Sequence, residues 1–243
     1  MGDEPSILVL HGITMCGASM LRTLGPLGKR LEALGFSLIA PNGGHRMSPA
    51  EVNELVTWVG RFYTKFKQSV GDAFSDTRFW DAGEHYDWLS SATDPASGKK
   101  TYHALEASLD AIGAAVRGRR IAGVIGFSQG AAMAIALADR AQRGDARFSG
   151  LGWGVFISGF KPVFDEPAPV TYPIGGAFPS LFVIGERDPI FPGTREYLTS
   201  MSEAFDGRAR ELLLVPGLGH DVPSSEEHVE QIVEFVVKGR PGS

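Results

Sequence analysis

Gly126-Phe127-Ser128-Gln129-Gly130 constrains this chain more than any other stretch, because it sets a serine where two kinds of secondary structure meet. Ahead of it, Ile121-Ala122-Gly123-Val124-Ile125 is a short apolar run bounded by basic residues and glycine, which reads as a buried strand. Behind it, Ala131 through Ala138 is a run of small, strong helix formers without Pro or Gly. A G-x-S-x-G at such a junction predicts a nucleophile elbow, a strained turn that lifts a serine hydroxyl clear of the sheet. Side chains at the flanking glycines are expected to collide with the neighbouring strand and helix. A chance glycine-rich turn has the same five letters, so the rest of the chain must supply the serine's partners.

Further apolar runs repeat the strand pattern. They fall at residues 6–10, 36–40, 121–126, 153–158, 181–184 and 211–215, each apolar on both faces, as a parallel sheet covered by helices requires. Leucines at 21, 24, 27, 31 and 34 predict a helix over about 18–34 despite Gly25-Pro26. A last helix is expected from an N-cap near Ser224 to Lys238, with Val229, Ile232, Val233 and Val236 on one face. The fold class is therefore α/β, with a mostly parallel six-stranded sheet and helices on both faces. At 243 residues, the chain suits one domain over 1–243.

Residues 45–102 interrupt the alternation. Ser48-Pro49-Ala50-Glu51 reads as a helix start with a capping-box glutamate, and Val52, Leu55, Val56, Val59, Phe62 and Phe66 continue it as an amphipathic helix. Phe79, Trp80, Tyr86 and Trp88 follow in polar, turn-rich sequence. An aromatic-rich insertion over a sheet edge is expected to act as a lid or pocket wall, or to pack against the domain, or both.

Composition excludes several function classes. A formal charge of −5 and the absence of a long Lys/Arg run argue against a nucleic-acid partner. No stretch approaches the roughly 18 apolar residues of a membrane span. No secretory signal is legible, and the loose myristoylation pattern of Met1 to Ser6 reads as coincidence without a polybasic second signal. The single cysteine, Cys16, allows no internal disulfide and fits a reducing compartment, so a cytoplasmic location is expected. No nucleotide cradle or zinc spacing is present, so neither a cofactor nor a metal is expected.

A serine hydroxyl needs a base, and the base an orienting acid. In this architecture they follow the serine in the order acid, then histidine. Only His220 and His228 come after Ser128. His220 lies in a glycine-rich loop after the sixth strand, and His228 lies within the last helix, so His220 is the expected base. Asp188 directly follows the fifth strand and is the expected acid. Asp165 is its main rival; Glu186 sits early in the same loop, and Asp221 is too near His220 in sequence. The oxyanion of acyl transfer would be met by the backbone N–H groups of Gln129, at a helix start, and Ile13, in the loop after the first strand. His11 fits a loop-shaping role, and Cys16 a buried small residue or pocket wall.

Several runs together resemble the FSH family of serine hydrolases, within the α/β-hydrolases. They are Ile7 to Gly12, Gly123 to Ala132, Ile157-Ser158-Gly159-Phe160, Pro179 to Asp188 and Gly217 to Pro223. The resemblance implies the α/β-hydrolase fold and assigns Ser128, Asp188 and His220 as a catalytic triad, which weakens the case for Asp165. It also implies hydrolysis of carboxylic esters or thioesters, often with medium or long acyl groups. Cys16 departs from the family pattern, which usually has a polar residue near that position. The expected substrate is a small-molecule ester or thioester with an apolar acyl group. The alternatives are a thioesterase acting on an acyl carrier protein and, with less support, a non-catalytic ligand-binding protein. Oligomeric state is not readable from the chain.

Overall fold

The computed structural model describes residues 4–65, 84–93, 96, 100–164, 170–206 and 210–239. Its central sheet consists of β1 (Ser6–Leu10), β2 (Ser37–Ile39), β7 (Ile121–Phe127), β8 (Gly154–Ile157), β9 (Ser180–Gly185) and β10 (Arg210–Val215). Their spatial order is β10-β9-β8-β7-β1-β2, and every neighbouring pair is parallel. The chain first winds from β1 to β2, then returns to the other side of β1 with β7. The order thus reverses between β1 and β7, and such a switch point opens a crevice at the carboxyl ends of the two strands. Ser128 follows β7 directly, and Ile13 lies just beyond β1.

The α/β-hydrolase architecture rests on two apolar layers, one on each face of the sheet. Ile7, Val9, Ile125, Val155 and Val183 pack against α1 (Gly17–Ala33) and α6 (Glu226–Lys238), through Leu24, Leu27, Ile232 and Val236. Leu8, Leu10, Val124, Phe156 and Phe182 point the other way. They meet α3 (Leu105–Ala115), α4 (Gln129–Gln142) and α5 (Arg195–Ser202). Alternation along each strand assigns successive residues to opposite layers. A leucine fully buried in either layer contributes about 1.5–3 kcal/mol.

Some element details differ from expectation. β2 and β10 are edge strands, so Leu38, Ile39 and Leu212 to Leu214 are only half-buried although they are apolar. The helix over 17–33 is kinked, with Gly25 at φ 48° just before Pro26. Ser225 is the N-cap residue of the last helix, one residue later than expected.

Between β2 and β7 the chain leaves the sheet. β3 (His45–Arg46) pairs antiparallel with β4 (Tyr86–Asp87), and β5 (Ser90–Thr93) with β6 (Lys100–His103). Helix α2 (Pro49–Lys65) begins with the expected reciprocal cap: Ser48 N–H donates to Glu51 Oε2 at 2.7 Å, and Glu51 N–H to Ser48 Oγ at 3.3 Å. Val52 is buried, with Leu55 and Val56 half-buried. Phe66, Phe79 and Trp80 lie outside the described residues, as do the side chains of Val59 and Phe62.

Candidate active site

Ser128 sits between β7 and α4 at φ 54° and ψ −118°, a conformation a non-glycine residue rarely adopts. The turn is pinned on both sides. Ser128 N–H donates to Ile157 O at 2.9 Å, and Ser128 O accepts from Ala131 N–H at 3.0 Å. The flanking glycines are required by close approach. A Cβ on Gly126 would lie 2.4 Å from Gly130 O, and one on Gly130 would lie 2.2 Å from Leu10 O. Both separations are far below contact distance, so the expected collision with the helix and the neighbouring strand is a feature of the packing.

Asp188 and His220 come together from different loops. His220 Nδ1 lies 2.8 Å from Asp188 Oδ2, with the Asp188 side chain fully buried. The other carboxylate oxygen, Oδ1, accepts from Ile190 N–H at 2.8 Å and Phe191 N–H at 3.0 Å. Burial pushes this carboxyl up, but the charge and hydrogen bond of His220 and the two backbone donors outweigh it and hold it below the usual carboxylate range. An ionised Asp188 accepts a hydrogen bond from Nδ1–H, which leaves Nε2 of His220 with a lone pair. The two loops are joined directly, since β9 and β10 are neighbours and Arg187 N–H donates to Leu218 O at 2.9 Å.

The His220 ring lies 5.0 Å from that of Phe127, the residue before Ser128. Among the described residues no hydrogen bond joins the Ser128 hydroxyl to His220. Such contacts are often loose without substrate and tighten in the reacting complex. The other acids are placed otherwise. Glu186 is exposed and its carboxylate accepts from Gly217 N–H at 3.2 Å, while Asp221 Oδ1 accepts from Val222 N–H at 2.7 Å. Asp165 lies outside the described residues. His228 lies 2.6 Å from Ser225 Oγ at the start of α6.

Gln129 is the first residue of α4, and Ile13 lies in the turn after β1. Among the described residues neither of their backbone N–H groups has a hydrogen-bond acceptor. His11 has no free nitrogen for base chemistry. Its Nδ1 lies 2.7 Å from Gly12 O, and its Nε2 accepts from Gly43 N–H at 2.9 Å. Burial lowers its pKa to about 4, against a smaller opposing effect of the Gly12 hydrogen bond, so the ring is neutral near pH 7. Cys16 is buried as the N-cap of α1, where its sulfur accepts from Ser19 N–H at 3.4 Å. The thiol thus does the capping that a polar residue does more commonly.

Two features were not legible beforehand. One is a row of half-buried rings beside His220. Tyr102 and Phe160 are 5.2 Å apart, Phe160 and Phe191 5.9 Å, and Phe191 and Tyr197 5.9 Å. Phe191 also reaches His220 at 5.7 Å. These residues are scattered over 95 positions of sequence, and only Phe160 stood in a recognised motif. The other is the Gln129 side chain, which holds Trp88 and Leu89 of the segment before β5. Among the described residues no cluster of three or more His, Cys, Asp or Glu could hold a metal ion.

Known proteins resemble the chain in both sequence and fold. A family model described as Serine hydrolase (FSH1) matches residues 1–232. Esterase C25G4.2 of Caenorhabditis elegans is 28% identical over 241 residues, covering 97% of this chain and 95% of the relative. Esterase OVCA2 of Xenopus tropicalis is 30% identical over 248 residues, covering 96% and 92%. In fold, the chain is similar to the solved structure of Zea mays acyl-protein thioesterase 2, with a TM-score of 0.56 at 17% identity over 97% of this chain and 94% of that one.

Proposed function

The chain belongs to the FSH1 serine hydrolase family, and from that premise we propose that it cleaves carboxylic esters or thioesters with apolar acyl groups through an acyl-enzyme on Ser128. The observation that carries the reading is the buried Asp188–His220 pair at the same sheet edge as the strained Ser128. Ser128 Oγ attacks the acyl carbon as His220 Nε2 takes its proton. The carbonyl oxygen gains the negative charge and accepts from the N–H groups of Ile13 and Gln129. The tetrahedral species collapses, the bond to the leaving group breaks, and His220 returns the proton to the departing alcohol or thiol. Water then attacks the acyl-enzyme by the same route and releases the acid. Asp188 stays ionised throughout, fixing the tautomer of His220 and stabilising its imidazolium.

The half-buried rings of Phe160, Phe191 and Tyr197 beside His220 support an apolar substrate group. In this reading residues 1–243 are one hydrolase domain, and the 45–102 segment walls the pocket through its hairpin, where Tyr102 meets Phe160. Among the described residues no helix is long and apolar enough to cross a membrane. We place the protein in the cytoplasm on the strength of its single buried thiol.

A fluorophosphonate probe tests the chemistry. Wild-type protein should be labelled, and Ser128→Ala should not; folded wild type that resists the probe would overturn the proposal. Turnover of a p-nitrophenyl ester series compared with acyl-CoA and acyl carrier protein thioesters then identifies the substrate class. Preference for acetyl over every longer chain contradicts the apolar group.

A further inference from the structure

The two oxyanion donors stand on separate segments, and a single buried tryptophan touches both. Trp88 is 1% exposed and lies between β4 and β5, outside the central sheet. Its backbone N–H donates to Gln129 Oε1 at 2.8 Å, and Gln129 Nε2 donates to Leu89 O at 3.0 Å. The amide of Gln129 is therefore held at both ends by two consecutive residues. At its other end, the indole Nε1–H of Trp88 donates to His11 O at 2.9 Å, two residues before Ile13. The indole also lies against the His11 ring, with centroids 4.8 Å apart. Tyr86, two residues before Trp88, continues the attachment: Thr14 N–H donates to Tyr86 O at 2.9 Å, and Tyr86 N–H to Met15 O at 3.1 Å.

We propose that Trp88 is a positioning residue that fixes the two oxyanion donors relative to each other, an inference that rests on the proposed roles of Ile13 and Gln129. Below the site, the β1–β7 pairing and the contact of Gly130 with Leu10 already join the two segments. That contact lies at the level of the sheet, whereas the donors project beyond it on a loop and a helix start. Trp88 closes the arrangement with Gln129 at one end and the residues leading to Ile13 at the other. A buried hydrogen bond that loses one partner leaves the other unsatisfied, so neither end can slacken freely. The oxyanion exists only in the transition state, so loosening the bridge lowers kcat and leaves substrate binding nearly intact.

Trp88→Phe keeps a ring against His11 and removes the indole donor. Gln129→Met keeps length and removes the amide. Each should lower kcat by about tenfold to a hundredfold, with KM changed less than about threefold. A trifluoromethyl ketone, which binds as an oxyanion adduct, should weaken by the same factor as kcat. The double variant should lose less than the product of the two single losses, because both cut one bridge. In protein labelled for NMR, the Ile13 and Gln129 amides should both shift from wild type to Trp88→Phe and exchange faster with solvent in the variant. That readout needs no turnover. If wild type hydrolyses nothing yet both amides respond, the functional reading fails and the bridge stands. A folded Trp88→Phe with unchanged kcat, unchanged ketone affinity and undisturbed Ile13 and Gln129 amides overturns the proposal. If Trp88→Phe does not fold, Gln129→Met alone decides it by the same measurements.

Discussion

His220 meets Asp188 through a carboxylate whose two oxygens are committed in different directions: Oδ2 to the imidazole at 2.8 Å, Oδ1 to the Ile190 and Phe191 N–H groups. The backbone holds the carboxylate still while the carboxylate orients the imidazole. In Asp188→Asn, the amide oxygen can keep the backbone donors and its NH₂ then faces His220, favouring the wrong tautomer. We expect kcat to fall by about ten-thousandfold with little change in KM or thermal stability. Steady-state kinetics beside a melting curve measure this, and an Asn variant with near wild-type kcat removes Asp188 from the mechanism.

Gly130→Ala should be much worse than its chemistry suggests. The added methyl would lie 2.2 Å from Leu10 O and 2.5 Å from His11 O, both backbone atoms that cannot rotate away. Relieving the clash must part α4 from β1, beside the Ile13 and Gln129 N–H groups. The expected destabilisation is at least about 1–3 kcal/mol, together with lost activity. Gly175→Ala has open space around the new carbon and serves as the control, expected within about 0.5 kcal/mol of wild type. Equal melting temperatures for the two variants would show that the elbow has slack.

Phe191 touches three other rings of the site, those of Phe160, Tyr197 and His220. If this row binds the apolar part of the substrate, Phe191→Ala should reduce kcat/KM for octanoyl esters by about tenfold or more. Acetyl esters, too short to use the surface, should change by less than about threefold. A uniform loss across the chain-length series would mean that Phe191 supports the Asp188 loop and does not read substrate.

Acid sensitivity should depend on His11. Its pKa is lowered to about 4 in the fold from an ordinary value of 6.5. Between those values the unfolded chain takes up a proton that the folded protein refuses. His11 therefore stabilises fully above pH 6.5 and loses its contribution as pH falls towards 4. The loss should reach about 3 kcal/mol. Asp87, raised to about 6 by burial, works in the opposite sense over an overlapping window. The quantity to measure is thus the stability of wild type minus that of His11→Gln, in which Asp87 cancels. That difference should shrink steadily from pH 6.5 to 4; a flat difference would contradict the neutral buried ring.

Much of this fold can be read along the chain because its information is local. Short two-sided apolar runs announce parallel strands, and the small residues after Ser128 announce a helix that lies close to the sheet. Edge position was not legible, since Leu38, Ile39 and Leu212 to Leu214 are apolar like the inner strands and their half-exposure depends on having only one neighbour. Cys16 was equally opaque, because a thiol is a rare N-cap and its role depends on Ser19 reaching back to it.

By itself, the amino-acid sequence determined the turn at Ser128, the strands around it and the membership of the family, all properties of neighbouring residues or of their order. Only the tertiary structure decided what surrounds that serine. The Asp188–His220 contact spans 32 positions and the Trp88–His11 contact 77. The ring row gathers residues from a hairpin, two loops and a helix. Such contacts follow from strand order and from how an excursion of the chain folds back over the sheet edge. No local preference encodes them, because each forms only when the two cores have already brought their segments together.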